Sequence, residues 1–359
     1  MSLTIAVTGL NATDNPAPGV PVIRSIRAGC AAANTDCHIV GLAYDVLDPG
    51  NYMADVADDV YLMPFPSQGA DVLLTRLEAI CTQRPIDVLI PCLDSELSAY
   101  LRIQDALRDL GVHLLLPDEA QLKLRSKASF DVLAERLGIP VPKSVVLTDP
   151  AKIDTLRETL DFPVMVKGQF YDAYLAHTPL DVRMCFDRLA SKWGLPVIVQ
   201  QFVPGTEFDV ACVGDGQGGV MGQVAMRKMQ LTDKGKAWGG VTVCDPALDA
   251  FVADTVARLK WRGPCEIEVM KAHDDGGLYL IEINPRFPAW IYLSVGAGRN
   301  LPWLTVQLAL GHTVEPLPPA PAGVLFLRNS VDQICLMDDF QSLTTTGELH
   351  KPARPEVLR

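Results

Sequence analysis

Residues 278–290, LYLIEINPRFPAW, and residues 265–270, CEIEVM, carry five side chains able to hold a cation or an anion within two short extended segments. Alternate side chains of a strand share a face, so Glu266 and Glu268 lie together on one segment, and Leu280, Glu282 and Asn284 on the other. The intervening residues 272–277, AHDDGG, are turn chemistry. The simplest geometry is therefore a hairpin that sets Glu268 beside Glu282, with Asn284 next along the same edge. Such oxygen donors suit Mg2+ (or Mn2+), which is commonly held by one or two carboxylates while substrate phosphates complete its shell. Arg286, two residues beyond Asn284, then lies where a phosphate held by the metal could be clamped bidentately. The alternative is a hairpin with a solvated acidic face, which leaves Asn-Pro-Arg after an apolar run unexplained.

These residues need a scaffold, and the chain supplies one by alternation. Strand, turn, helix, strand is the reading of residues 3–8, ending at Gly9, then 23–33 and 38–43. A strand at 59–62, a helix at 70–82 and a compact apolar strand, DVLIP, at 87–91 follow. The pattern predicts an open parallel α/β sheet of doubly wound type. Ligands of such sheets collect beyond the carboxyl ends of the strands, here residues 9–19 and 92–96. The first loop, GLNATDNPAPG, lacks the glycine spacing of a dinucleotide site and reads as a substrate-side or structural loop. Asp94 and Glu96 read as caps of the next helix.

Past residue 117 the pattern changes. Short helices are expected at 118–124 and 126–137, stopped by GIPVP, and strands at 162–166, 197–203 and 206–213. Residues 227–240, RKMQLTDKGKAWGG, combine four basic residues with three glycines and read as a cationic loop between strands at 220–226 and 241–244. Arg227 and Lys228 head that loop, which suits a triphosphate or a carboxylate substrate; the alternative is a solvated hairpin tip. Helices are expected at 246–260, 291–296 and 301–311, and a strand at 323–327 paired with 333–337. The last dozen residues are polar and expected to be mobile.

With 359 residues, 48% of them hydrophobic, the chain can bury the core of two or three lobes. Its net charge of −12 argues against nucleic acid as a partner, though not against a local basic pocket. Nine cysteines without paired metal-ligand spacing read as reduced thiols of a cytoplasmic protein. The N-terminus, MSLTIAVTGL, reads as a first strand rather than a signal peptide, and no apolar run approaches the roughly 18–20 residues that span a bilayer, so no membrane partner is expected.

Glu-Ile-Asn-Pro-Arg after an apolar strand, with a second acidic strand before it, resembles the metal-binding signature of the ATP-grasp superfamily, in its carbamoyl-phosphate synthetase and carboxylate-amine ligase branch. With its flanking features the resemblance extends over roughly residues 1–312. It implies an N-terminal pre-ATP-grasp α/β domain at 1–117, an ATP-grasp lobe with linker helices at 118–196, a C-terminal lobe with the metal site at 197–312, and terminal strands and tail at 313–359. It also implies roles residue by residue. Lys127 heads a linker helix and meets a nucleotide phosphate. Lys167, ending a buried strand, meets the phosphate and base. Gln200, Gln201, Phe202 and Val203 form the hinge at the adenine edge, and Glu207 holds the ribose hydroxyls. Glu268, Glu282 and Asn284 are the metal ligands.

Two departures stand out. The hinge carries Gln200 and Gln201 where relatives commonly have a Glu, and the loop after Lys167, GQFYDAYLAHTP, is aromatic where the family has a Gly/Ser-rich lid. The implied activity is an ATP-dependent carboxylate-amine ligase acting through an acylphosphate on a small-molecule or peptide carboxylate and an amine, releasing ADP and phosphate. A homodimer stays open. The alternatives are a non-catalytic ATP-binding regulatory or scaffold protein and a bicarbonate-activating enzyme like biotin carboxylase.

Overall fold

The computed structural model describes residues 2–124, 130–168, 172–232 and 237–351. The N-terminal alternation becomes β1 (Leu3–Thr8), α1 (Gly19–Ala32), β2 (Cys37–Ala43), β3 (Asp59–Leu62), α2 (Ala70–Gln83), β4 (Val88–Ile90) and α3 (Asp94–Asp109). β2 and β4 flank β1, β3 lies outside β2, and all three pairings are parallel. Alternate residues of β1 feed two cores. Ile5 and Val7 pack with Val22, Ile23 and Ile26 of α1, whereas Ala6 joins Leu73 and Leu77 of α2 and Leu97 and Tyr100 of α3. A strand covered by helices on both faces reads as a continuous apolar run, as LTIAVT does. Gly19 opens α1 hard against the end of β1: a Cβ there would lie 2.1 Å from the Thr8 carbonyl oxygen, so no larger residue fits.

α4 (Glu119–Leu124) and α5 (Phe130–Leu137) lead onward. Asp118 and Gln121 exchange main-chain to side-chain hydrogen bonds of 2.8 Å each, a reciprocal cap that starts α4. Gly138, at φ +63°, ends α5. Next come β5 (Ser144–Leu147), β6 (Val164–Lys167), β7 (Ala173–Ala176), α6 (Pro179–Trp193) and β8 (Val197–Gln201). They form a small antiparallel sheet ordered β5-β8-β6-β7 with α6 packed on it.

The remaining elements are β9 (Gly205–Asp215), β10 (Val220–Leu231), β11 (Ala237–Thr242), α7 (Pro246–Leu259), β12 (Arg262–Ala272), β13 (Leu278–Asn284), α8 (Leu293–Gly296), α9 (Leu301–Ala309), β14 (Leu325–Leu327), α10 (Met337–Thr346) and β15 (Glu348–His350). Six of the strands make an antiparallel sheet ordered β13-β12-β9-β10-β11-β14. Pro246 at its first turn and the Asp245 side chain, which accepts from Ala247 and Leu248 N–H, start α7, and its Leu248, Val252 and Val256 cover one face of this sheet. The architecture is the expected one: an N-terminal parallel α/β sheet followed by two antiparallel lobes.

Two expectations fail. Residues 227–231 and 237–240 are not loop but the continuation of β10 and β11, which pair from Met226↔Thr242 to Leu231↔Ala237. Charge alone misleads here, because a strand running beyond the core tolerates exposed polar residues such as Arg227 and Gln230. The strand at 323–327 forms as β14, yet it pairs with β11 through Leu325↔Val241 and Leu327↔Gly239 rather than with 333–337, and Met337 begins a helix. Of the last dozen residues, expected to be mobile, residues 348–351 are anchored and residues 352–359 lie outside the described residues. β15 pairs with β3, Leu349 is buried, and His350 Nδ1 lies 2.9 Å from Asp59 Oδ1. Three residues are too few for a strand period to be visible in sequence. Among the described residues no helix is long and apolar enough to cross a membrane.

Candidate active site

The β12–β13 hairpin sets Glu268 opposite Glu282 and Glu266 opposite Asn284, as the spacing predicts. A register shift between Glu268 and Val269 pairs Leu280 with Val269 and turns it onto the apolar face, so the expectation that Leu280 shares the face of Glu282 is corrected. On the other side of β12, β9 sets Asp209 against Glu268 and Glu207 against Met270. Period-two alternation therefore gathers Glu207, Asp209, Glu266, Glu268, Glu282 and Asn284 on one face of the large sheet. Farther along, the same face carries Ala211, Val213, Val224 and Met226, which share a core with β1 and α1. The acidic group thus sits where the large sheet leaves its packing against the N-terminal sheet.

Three bonds fix Glu266 and Asn284. Trp290 Nε1 donates to Glu266 Oε1 at 2.8 Å, and Asn284 Nδ2 donates to Glu266 Oε2 at 3.1 Å and to Glu268 Oε1 at 3.2 Å. Burial and the neighbouring Glu282 push the Glu268 carboxyl up to about 8, with Lys228 offsetting part of the effect. Burial likewise raises Asp209 well above the carboxylate range, against the opposing pull of Lys228. This face is short of positive charge. The all-oxygen donors Glu268, Glu282 and Asn284 fit a hard divalent ion, which would relieve that repulsion.

Lys228 and Arg227, expected together, separate. Adjacent residues of a strand point to opposite faces. Lys228 enters the acidic face, with its Nζ 2.5 Å from Glu207 Oε1 and 3.1 Å from Asp209 Oδ2. Burial opposes its charge, but Glu268, Asp209 and Glu207 together hold the ammonium well above its ordinary range. Arg227 is exposed on the other side, and the expectation that it shares the site is corrected.

Arg286 adjoins the site but is already engaged. Its Nε donates to Asp94 Oδ2 at 2.9 Å and its Nη1 lies 3.5 Å from Glu266 Oε2. Burial works against its charge, and Asp94 and Glu266 outweigh this to raise its pKa. Asp94, read as a helix cap, thereby ties the carboxyl end of the parallel sheet to the acidic hairpin. Glu96 is the cap: its Oε1 accepts from Cys92 and Leu93 N–H at 2.8 and 2.9 Å and from the Thr8 hydroxyl.

On the small sheet, Lys167 is buried at the end of β6, and its Nζ donates to Gln200 Oε1 at 2.6 Å. Gln200 in turn donates to Ser144 Oγ at 3.0 Å. Gln201 N–H donates to the Lys143 carbonyl at 2.8 Å. Phe202 and Val203 then cross from β8 to β9, so residues 200–203 bridge the two lobes and lead straight to Glu207. Lys127 and Tyr171 lie outside the described residues. Asp209 was missed in the sequence although GTEFDV signals it, being two residues beyond Glu207 in a strand.

A family model described as "ATP-grasp in the biosynthetic pathway with Ter operon" matches residues 195–329, which hold the hinge, the acidic face and β14. The carbamoyl phosphate synthase large chain of Gemmatimonas aurantiaca is 27% identical over 292 residues, covering 74% of this chain and 25% of that one. The chain thus spans about a quarter of the length of that relative. Among solved structures, the biotin carboxylase domain dimer of Hydrogenobacter thermophilus 2-oxoglutarate carboxylase, in complex with MgADP, ADP and bicarbonate, superposes with a TM-score of 0.65 at 15% identity, covering 88% of this chain and 71% of that one. The L-amino acid ligase of Bacillus licheniformis does so with a TM-score of 0.63 at 15% identity, covering 86% and 74%.

Proposed function

We propose that this chain is an ATP-grasp enzyme, an ATP-dependent carboxylate-amine ligase that works through an acylphosphate. The observation that carries the reading is the Glu268/Glu282/Asn284 register on one sheet face with Arg286 beside it. In this reading Lys167, steadied by Gln200, meets the nucleotide phosphates, residues 200–203 meet the base, and Glu207 accepts from the ribose hydroxyls through the carboxylate oxygen that Lys228 leaves open. Glu268, Glu282 and Asn284 would hold Mg2+, whose charge offsets that of the triphosphate. Lys228 and Arg286 add fixed positive charge to the same region.

The acceptor carboxylate oxygen attacks the γ-phosphorus of ATP and ADP leaves, giving an acylphosphate. An amine then attacks the acyl carbon and phosphate leaves, so no covalent enzyme nucleophile is required. Positioning and charge neutralisation do the work. The acceptor is a small-molecule or peptide carboxylate, the compartment the cytoplasm, and a homodimer is compatible with the reading.

Hydroxylamine tests it, because the intermediate forms before the amine reacts. With ATP, Mg2+ and a panel of amino acids and short peptides, a matched acceptor should raise ADP release and yield a hydroxamate. ATP binding without hydroxamate or stimulated ADP across the panel supports the regulatory reading instead, and stimulation by bicarbonate alone supports carboxylation.

A further inference from the structure

The ammonium of Lys228 contacts two of three carboxylates that could themselves hold a metal. Glu207, Asp209 and Glu268 each offer an oxygen, and these oxygens lie within 4.8 Å of one another. That span lets one cation touch all three at roughly the 2.0–2.6 Å reach of a divalent ion. Lys228 Nζ engages two of these three carboxylates, bonded to Glu207 Oε1 at 2.5 Å and to Asp209 Oδ2 at 3.1 Å. Asp209 is only 2% exposed, and among the described residues its Oδ1 has no hydrogen-bond partner. A buried carboxylate with a bare oxygen still has room for a ligand. Glu268 is also shared with the Glu282/Asn284 pair on its other side.

We propose that Lys228 is a built-in counter-cation filling a divalent-ion position formed by Glu207, Asp209 and Glu268, and that it competes with soluble metal for this face in the nucleotide-free chain. The inference rests on the reading of Glu268 as a metal ligand. Its consequence is an order of events. Metal alone is held weakly, because it must share Glu207 and Asp209 with an ammonium that cannot diffuse away. Metal that arrives with a triphosphate brings oxygens of its own and needs fewer from the protein. The strand supplies the economy of the device: β10 delivers Lys228 from the neighbour of the strand that carries Glu207 and Asp209, so the ammonium is present whenever the sheet is folded.

The test is Mn2+ binding to the nucleotide-free protein, read from the loss of the free-ion paramagnetic resonance signal. Lys228→Gln should bind Mn2+ roughly tenfold or more tighter than wild type, since a unit positive charge a few ångströms from the ion is removed. Lys228→Met serves as the second neutral variant if the first does not fold, and Lys228→Arg, which keeps the charge, should stay near wild type. Adding Asp209→Asn to the neutral variant should erase the gain. Equal Mn2+ affinity in wild type and the neutral variants overturns the inference, as does a gain that survives Asp209→Asn. Neither result touches hydroxamate formation by the wild type, so failure here is distinguishable from failure of the ligase reading.

Discussion

The two faces of the large sheet use the same strands for opposite purposes. On one face Val210 and Cys212 of β9, Ile267 and Val269 of β12 and Leu280 of β13 pack beneath α7 in an unbroken apolar layer. On the other, the same strands present Glu207, Asp209, Glu268 and Glu282, a register shift between Glu268 and Val269 parting Glu282 from Leu280, with Lys228 of β10 drawn among them. The apolar face holds the strands in register, and that register brings carboxylates together at a density that would be costly in a flexible loop. Stability and chemistry are therefore separable by alternation, and substitutions on the two faces should fail in different ways.

The largest effect is expected on the acidic face. Glu282→Gln should reduce ADP formation at least ~10²-fold, because several kcal/mol of charge stabilisation depend on that ligand, while its melting temperature stays close to wild type. Melting should not suffer, since Glu282 raises the cost of ionising Glu268 beside it. A variant with near wild-type ADP release would remove Glu282 from the site. On the apolar face, Ile267→Ala should cost about 2–5 kcal/mol of unfolding free energy by denaturant titration, yet leave nucleotide affinity intact below the transition. Loss of affinity at full foldedness would mean that the two faces are coupled.

The small sheet should behave like the acidic face. Lys167→Ala should weaken binding of a non-hydrolysable ATP analogue by about 1.5–3 kcal/mol in calorimetric titration, the value of a hydrogen bond to a charged group. Unchanged affinity would assign Lys167 and its Gln200 bond to structure alone.

A smaller effect belongs to the carboxyl end of the parallel sheet. Burial pushes Glu96 up to about 7 from an ordinary value of 4.5, although bonds from Thr8, Tyr44, Leu93 and Cys92 pull the other way. The folded state then binds a proton that the unfolded state releases, so this group makes stability fall as pH rises from about 4.5 to about 7 and level off above. Melting curves of wild type and Glu96→Gln should diverge across that window by about 1–3 kcal/mol and run parallel above it. Parallel curves throughout would show that Glu96 is already ionised in the fold.

Legibility in the sequence followed the same division. The acidic hairpin was readable to the residue because a strand period and turn residues both constrain it, and Glu268↔Glu282 is the pair they specify. Lys228 and Arg227 read in sequence as one cationic loop, since β10 and β11 carry few of the apolar alternations that announce a strand beyond Met226. The contact of Asp94 with Arg286 joins residues 192 positions apart, and no local pattern encodes it. The return of β15 to β3 is equally non-local, and the three-residue strand has no period to read.

Oxygen transfer provides the most direct measurement. An acceptor identified by hydroxamate trapping, labelled with 18O in its carboxyl group and turned over with ATP, Mg2+ and an amine, should deliver one 18O into each phosphate released, because the acylphosphate bridge oxygen leaves with phosphorus. Amide formation with unlabelled phosphate would mean that no acylphosphate forms and would contradict the ligase mechanism proposed for this face of the sheet.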